Sequence, residues 1–223
     1  MKYRYTIIIC FISIITGVNG QSIPPSLEEN LKMINVEFTP NQQYTVTPSD
    51  SKFGTYACDD KNCPLWKLTI IHAELIHSDG QCRVYPYVAG SAVLKYGKVI
   101  QDNPDLFGAT EPMNMSYNRI KSNFKYGKLL SAASEQDIED LKMMLHYYPR
   151  EEARSLFNAD YMLSYPYNMA GMVCKENLTR ARGVVIGKDG MDIFLYFIMS
   201  DTGIKDFDKY LTDFKGTFWF KDK

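Results

Sequence analysis

The stretch RARGVVIGKDGMDIFLYFIMS, residues 180–200, constrains the fold more than any other part of the chain. Two runs of β-branched, aromatic and other apolar residues meet at Asp189-Gly190. An Asp-Gly pair between such runs is the preferred centre of a type I′ turn, where both central residues take a positive φ. The segment therefore predicts an antiparallel hairpin. Its second strand, Ile193 to Met199, is apolar on both faces, which places it centrally in a covered sheet.

The surrounding periodicity fills in the class. After the hairpin, Ile204, Phe207, Tyr210/Leu211 and Phe214 fall at helical spacing, Gly216 stops the run, and TFWF reads as a closing strand. Upstream, Ser134 caps a helix with Asp137 at the capping-box position, and Ile138, Leu141, Leu145 and Tyr148 form its apolar stripe. Pro149 ends that helix. Glu151-Glu152 open another, carrying Ala153, Leu156 and Phe157, and DYMLSYPY returns as a strand. Nearer the start, PPSLEENLKMINVEF reads as a short amphipathic helix with Ser26 as N-cap and Leu27, Leu31 and Ile34 on one face. Strands are expected over Trp66–Ile76 and Cys82–Val88, joined by the turn Ser78-Asp79-Gly80. Residues 101–131 carry Pro104, Gly108, Pro112 and Gly127 without periodicity, a long irregular loop region.

The expected class is α+β: an antiparallel sheet with helices packed against it, in one domain over residues 21–223. The closing order of hairpin, helix and aromatic strand resembles the PsbP/Mog1-like α/β sandwich of small exported accessory proteins. That resemblance covers roughly the last third of the chain. It implies a fold for the C-terminal half and carries no residue roles.

Residues 1–20 read as a secretory signal peptide. Lys2 and Arg4 precede the apolar run TIIICFISII, and a cut ahead of Gln21 follows small or short residues. The run is too short to anchor in a bilayer, and no second long apolar stretch follows. A secreted or periplasmic protein without a transmembrane segment in its mature chain is expected. The leader is similar to those of exported proteins of Gram-negative bacteria. Charge is balanced, with 25 basic and 26 acidic residues and a formal net charge of −1. No basic face for nucleic acid is indicated.

The stretch from Cys58 to Cys82 gathers three cysteines with His72 and His77. An exported chain with an even number of mature cysteines usually pairs them. Of three possible connectivities, the polar loop Asp59-Asp60-Lys61-Asn62 favours Cys58–Cys63, leaving Cys82 for Cys174. Zinc is the competing use, but His72 and His77 are five apart and face opposite sides of a regular strand. No metal or other cofactor is expected.

Catalytic signatures are sparse. The sequence has no nucleophile elbow, zinc-protease helix, phosphate loop or dinucleotide fingerprint. A thiol hydrolase built from Cys174, His146 and Asp160 is the alternative reading; it requires convergence of residues distant in sequence. The adjacent acids at 59–60 and 151–152 read as a solvated turn and a helix N-terminus. Asn114 and Asn177 head glycosylation sequons, used only in a glycosylating host. Tyrosine is abundant at 16 residues; clusters at Tyr85/Tyr87, Tyr147/Tyr148 and Tyr161/Tyr165/Tyr167 offer an amphipathic contact surface, with Tyr85, Tyr87, Tyr161, Tyr165 and Tyr167 as the candidate binding residues. The favoured function is a non-catalytic exported module engaging a protein, glycan or envelope component.

Overall fold

A computed structural model describes residues 23–48, 73–90, 143–166 and 178–223. It is a mixed α/β fold built on a seven-stranded antiparallel sheet. The strands are β1 (Val36–Phe38), β2 (Tyr44–Pro48), β3 (Ala73–His77), β4 (Cys82–Val88), β5 (His146–Tyr147), β6 (Tyr161–Pro166), β7 (Leu178–Lys188), β8 (Met191–Ser200) and β9 (Phe218–Phe220). The helices are α1 (Pro25–Met33), α2 (Arg150–Phe157) and α3 (Phe207–Asp213), with a 3-10 turn at Gly203–Asp206 leading into α3.

The large sheet runs β2-β3-β4-β8-β7-β6-β5. The doubly apolar strand β8 takes the central position, because side chains buried on both faces need neighbours on both sides. The β7–β8 hairpin turns at Asp189 (φ 53°) and Gly190 (φ 77°), the two positive values that a type I′ turn requires.

The closing strand does not join this sheet. β9 pairs with β1 in a separate two-stranded ribbon, Glu37 opposite Trp219. The N-terminal segment is accordingly a helix followed by a strand, linked through Asn35 at φ 58°. Ser26 is not the N-cap. Pro24 occupies that position, and Ser26 lies inside α1, where its carbonyl accepts from Asn30.

A second difference concerns the helix expected to end at Tyr148. Met143 and Met144 are helical, but His146 and Tyr147 form β5, paired with Ser164 and Leu163 of β6. Pro149 disfavours the α conformation at the residue before it, and the open edge of β6 offers the backbone partners instead. Residues 134–142 lie outside the described residues. So do the leader, the 101–131 region, and all of the expected first strand before Ala73.

One face of the sheet carries Val46, Leu75, Val84, Leu195, Phe197 and Ile186, packed with Leu31 of α1, Phe157 of α2 and Phe214 just after α3. Each such large side chain contributes about 1.5–3 kcal/mol of burial. On the opposite face Tyr85, Tyr165, Phe194, Tyr196 and Ile198 are buried as well.

Candidate functional site

The densest cluster of polar and titratable groups among the described residues forms where the β3–β4 turn meets α3. His77 ends β3, and the chain reverses through Ser78, Asp79 and Gly80. Gly80 takes φ 71°, and the Gln81 amide donates to Asp79 Oδ1 at 2.8 Å, an aspartate-closed turn that fixes the carboxylate. The strand's alternation sends the His77 side chain to the helix-bearing face, where it is 2% exposed.

The imidazole is held on every side. Its Nε2 lies 3.2 Å from Asp213 Oδ2 at the end of α3, and its Nδ1 lies 2.9 Å from Asp79 Oδ1. The Asp79 amide also approaches Nδ1 at 3.3 Å. Tyr44 of β2 and Tyr210 of α3 present their rings edge-on to the imidazole, at centroid distances of 5.0 and 4.8 Å. Both carboxylates are tied further: Tyr210 donates its hydroxyl to Asp79 Oδ2 at 2.9 Å, and Lys209 donates to Asp213 Oδ2 at 2.8 Å. The Asn41 amide donates to the Asp213 carbonyl, and Tyr44 donates to the Tyr210 carbonyl at 3.1 Å.

This arrangement serves the ring in either protonation state. A neutral imidazole donates from Nε2 to Asp213 and accepts the Asp79 amide at Nδ1; a charged one donates from Nδ1 to Asp79 Oδ1 instead. Partial burial pushes the Asp79 carboxyl up, but hydrogen bonds from the Gln81 amide, His77 and Tyr210 outweigh it and hold the group below the usual range.

The cluster is not poised for nucleophilic chemistry. Burial pushes the Cys82 thiol well above its ordinary value, and burial likewise raises the Tyr44 and Tyr210 hydroxyls. What the geometry does is clasp the β3–β4 turn to α3. Among the described residues no group of three or more His, Cys, Asp or Glu side chains is placed to hold a metal ion. His72 lies outside them.

The tyrosines singled out by the sequence divide by position. Tyr85 is fully buried and donates to Glu74 Oε1 at 2.8 Å, an oxygen that also accepts from Arg83 at 2.5 Å. Tyr165 is 1% exposed. Tyr161 is half-buried and donates to Asp192, and half-buried Tyr87 stands 6.1 Å from the Phe194 ring. Tyr167 lies outside the described residues. Of the four described, Tyr87 and Tyr161 alone meet water. Tyr147 of β5, from the Tyr147/Tyr148 cluster, is 66% exposed.

Of the thiol-hydrolase trio, Cys174 lies outside the described residues. His146 is exposed, with its ring edge-on to Tyr148 at 4.5 Å. Asp160 accepts from Arg150 at 2.8 Å, and among the described residues no hydrogen bond joins it to His146. Cys82 is a buried free thiol. Its expected disulfide partner Cys174, like Cys58 and Cys63, lies outside the described residues, and no sulfur pair is seen at bonding distance among those described.

Sequence reasoning missed Asp213, Tyr210 and Tyr44 as partners of His77. Asp213 is 136 positions away from it, and only sheet order brings α3 over the β3–β4 turn. The Asp79-Gly80 pair was the one local signal. No protein-family model and no curated protein matches this chain.

Proposed function

We propose that the chain is an exported, non-catalytic binding module that engages a protein partner at the β5 edge of its sheet. The observation that carries this is the exposure of Met143 (78%), Met144 (52%) and Tyr147 (66%) on and just before that edge strand. Among the other described residues the large apolar side chains are almost all buried, which makes three exposed ones within five residues unusual. Among the described residues β5 has a neighbouring strand on one side only, and an edge strand beside such side chains is the combination that strand addition by a partner uses. Methionines adapt to an irregular protein surface. A glycan calls instead for planar rings flanked by hydrogen-bonding groups, and an envelope lipid for a larger apolar area.

Export by cleavage before Gln21 belongs to the same reading, supported by the basic, apolar and small-residue order of residues 1–20. The succession of the β7–β8 hairpin, α3 and β9 supports a PsbP/Mog1-like C-terminal half.

The test is capture from the envelope fraction of the native host by the immobilised chain, then reconstitution with the purified partner. Replacing Met143, Met144 and Tyr147 together by Ser is expected to abolish the reconstituted complex, while Trp219→Ser on the separate ribbon leaves it intact. A complex indifferent to the triple replacement overturns the reading.

A further inference from the structure

A second polar cluster lies on the helix-bearing face beside β5, β6 and β7. His146 pairs directly with Ser164, and Ser164 with Val184. Arg182 is two residues from Val184 along β7, so it projects to the same face and is the diagonal neighbour of Ser164. Its guanidinium carbon sits 4.9 Å from the Phe207 ring centroid of α3. Tyr148, on the link into α2, donates its hydroxyl to Ser164 Oγ at 3.3 Å and meets the His146 ring edge-on.

Hydrogen-bonding capacity is left over here. Half-buried Arg182 makes no ion pair among the described residues, although a guanidinium carries five N–H donors. Ser164 is 1% exposed and accepts from Tyr148, so its own proton has no described acceptor. Asp208 of α3 and Glu152 of α2 act on the Tyr148 hydroxyl from a distance, and neither pairs with Arg182.

We propose that Arg182, Tyr148 and His146, with Ser164 behind them, form a binding site for a single carboxylate group. The planar guanidinium matches a carboxylate with two parallel bonds, and the Phe207 face holds it in place from below. Tyr148 supplies the second donor: its proton turns from Ser164 to the ligand while Ser164 turns to donate to Tyr148. Ser164 thus positions the phenol and does not touch the ligand. Burial raises the Tyr148 hydroxyl above its ordinary value, which keeps it protonated and able to donate. His146, exposed and edge-on to the Tyr148 ring, borders the phenol. A carboxylate is favoured over phosphate because, among the described residues, Arg182 is the one cation acting on the Tyr148 hydroxyl while Asp208 and Glu152 act on it with the opposite sign, so a dianion's second charge adds to their repulsion. Strand alternation turns Tyr147 to the other face, so Arg182, Tyr148 and Ser164 stand apart from the β5 edge contact and only His146 shares its strand.

The experiment titrates the full chain with acetate, and separately with inorganic phosphate, following backbone amide shifts by NMR. Saturable acetate binding with shifts centred on Tyr148, Ser164 and Arg182 is expected, with phosphate weaker. Arg182→Gln removes it, and Tyr148→Phe, which keeps the ring, weakens it on the order of ten-fold. Should Arg182→Gln fail to fold, Tyr148→Phe alone decides. Absence of saturation, unchanged affinity in Tyr148→Phe, or phosphate bound more tightly than acetate each overturns the proposal.

Discussion

The ring of Tyr165 lies across the backbone of Gly183, its directly paired neighbour on the adjoining strand, so that a Cβ added at Gly183 overlaps the phenol. The same relationship recurs four residues along β7, where Tyr161 covers Gly187 and reaches Asp192. Each glycine in β7 therefore makes room for a cross-strand aromatic.

The first prediction follows from that packing. Alanine is ordinarily better than glycine inside a strand by about 0.5–1 kcal/mol. Here Gly183→Ala is expected to destabilise by about 1–3 kcal/mol, because the buried ring has to leave its place. Adding Tyr165→Ala removes the clash, so the double variant falls short of the sum of the two single losses. Urea unfolding of the three variants measures this. A Gly183→Ala protein as stable as wild type would show that the ring moves aside without cost.

His77→Ala is expected to cost about 2–4 kcal/mol, combining a cavity between two tyrosine rings with two carboxylates left without their shared partner. Asp213→Asn keeps an acceptor facing Nε2 and loses mainly the Lys209 contact, so about 1 kcal/mol is expected. Equilibrium unfolding ranks the pair. Equal losses would mean that the place of the imidazole between the two rings adds nothing beyond its contact with Asp213.

How much of this was legible in the sequence depends on the range of each signal. The β7–β8 hairpin was readable because its determinants are local, an Asp-Gly pair between two apolar runs. Helix α2 was readable for the same reason, its acids at Glu151 and Glu152 and its buried stripe falling within two turns. Strand β5 was not: Leu145 and Tyr148 keep helical spacing, and the pairing of His146 with Ser164 leaves no trace in periodicity. The tyrosines show the limit most clearly. Tyr165 and Tyr147 have the same composition signal, yet one is 1% and the other 66% exposed, because sheet face and edge position decide burial. The His77 cluster needed three segments brought together, and only the histidine and the Asp79-Gly80 turn beside it were legible locally.

The clasp also fixes a pH dependence. Asp79 is held below its ordinary value of 3.8, so the folded state binds its proton less readily than the unfolded chain does. Its contribution is fully present above that ordinary value and is lost as pH falls through the lower folded one. Wild type is thus expected to lose stability on acidification more steeply than Asp79→Asn, which is weaker at neutral pH and has no carboxyl to protonate there. Thermal melts of both proteins from neutral pH into the acid range give the two slopes. Parallel curves would exclude Asp79 as a source of acid sensitivity.

The last prediction concerns Cys82. Its side chain is 0% exposed, lies beneath α3 beside Tyr44, and is pushed toward the thiol form by burial. Thiolate is the reactive species, so an alkylating reagent needs both access and ionisation, and the folded protein withholds both. In unreduced native protein, Cys82 is expected to stay unmodified by iodoacetamide and to be modified once the chain is unfolded in denaturant. The rate of native labelling then reports the opening of the α3 contact and should rise in His77→Ala, which loosens the same junction. Peptide mapping distinguishes the alternative directly. A Cys82–Cys174 linked peptide in unreduced material would show that the thiol leaves the core to pair, and that Tyr44 and Tyr210 repack around a bridge.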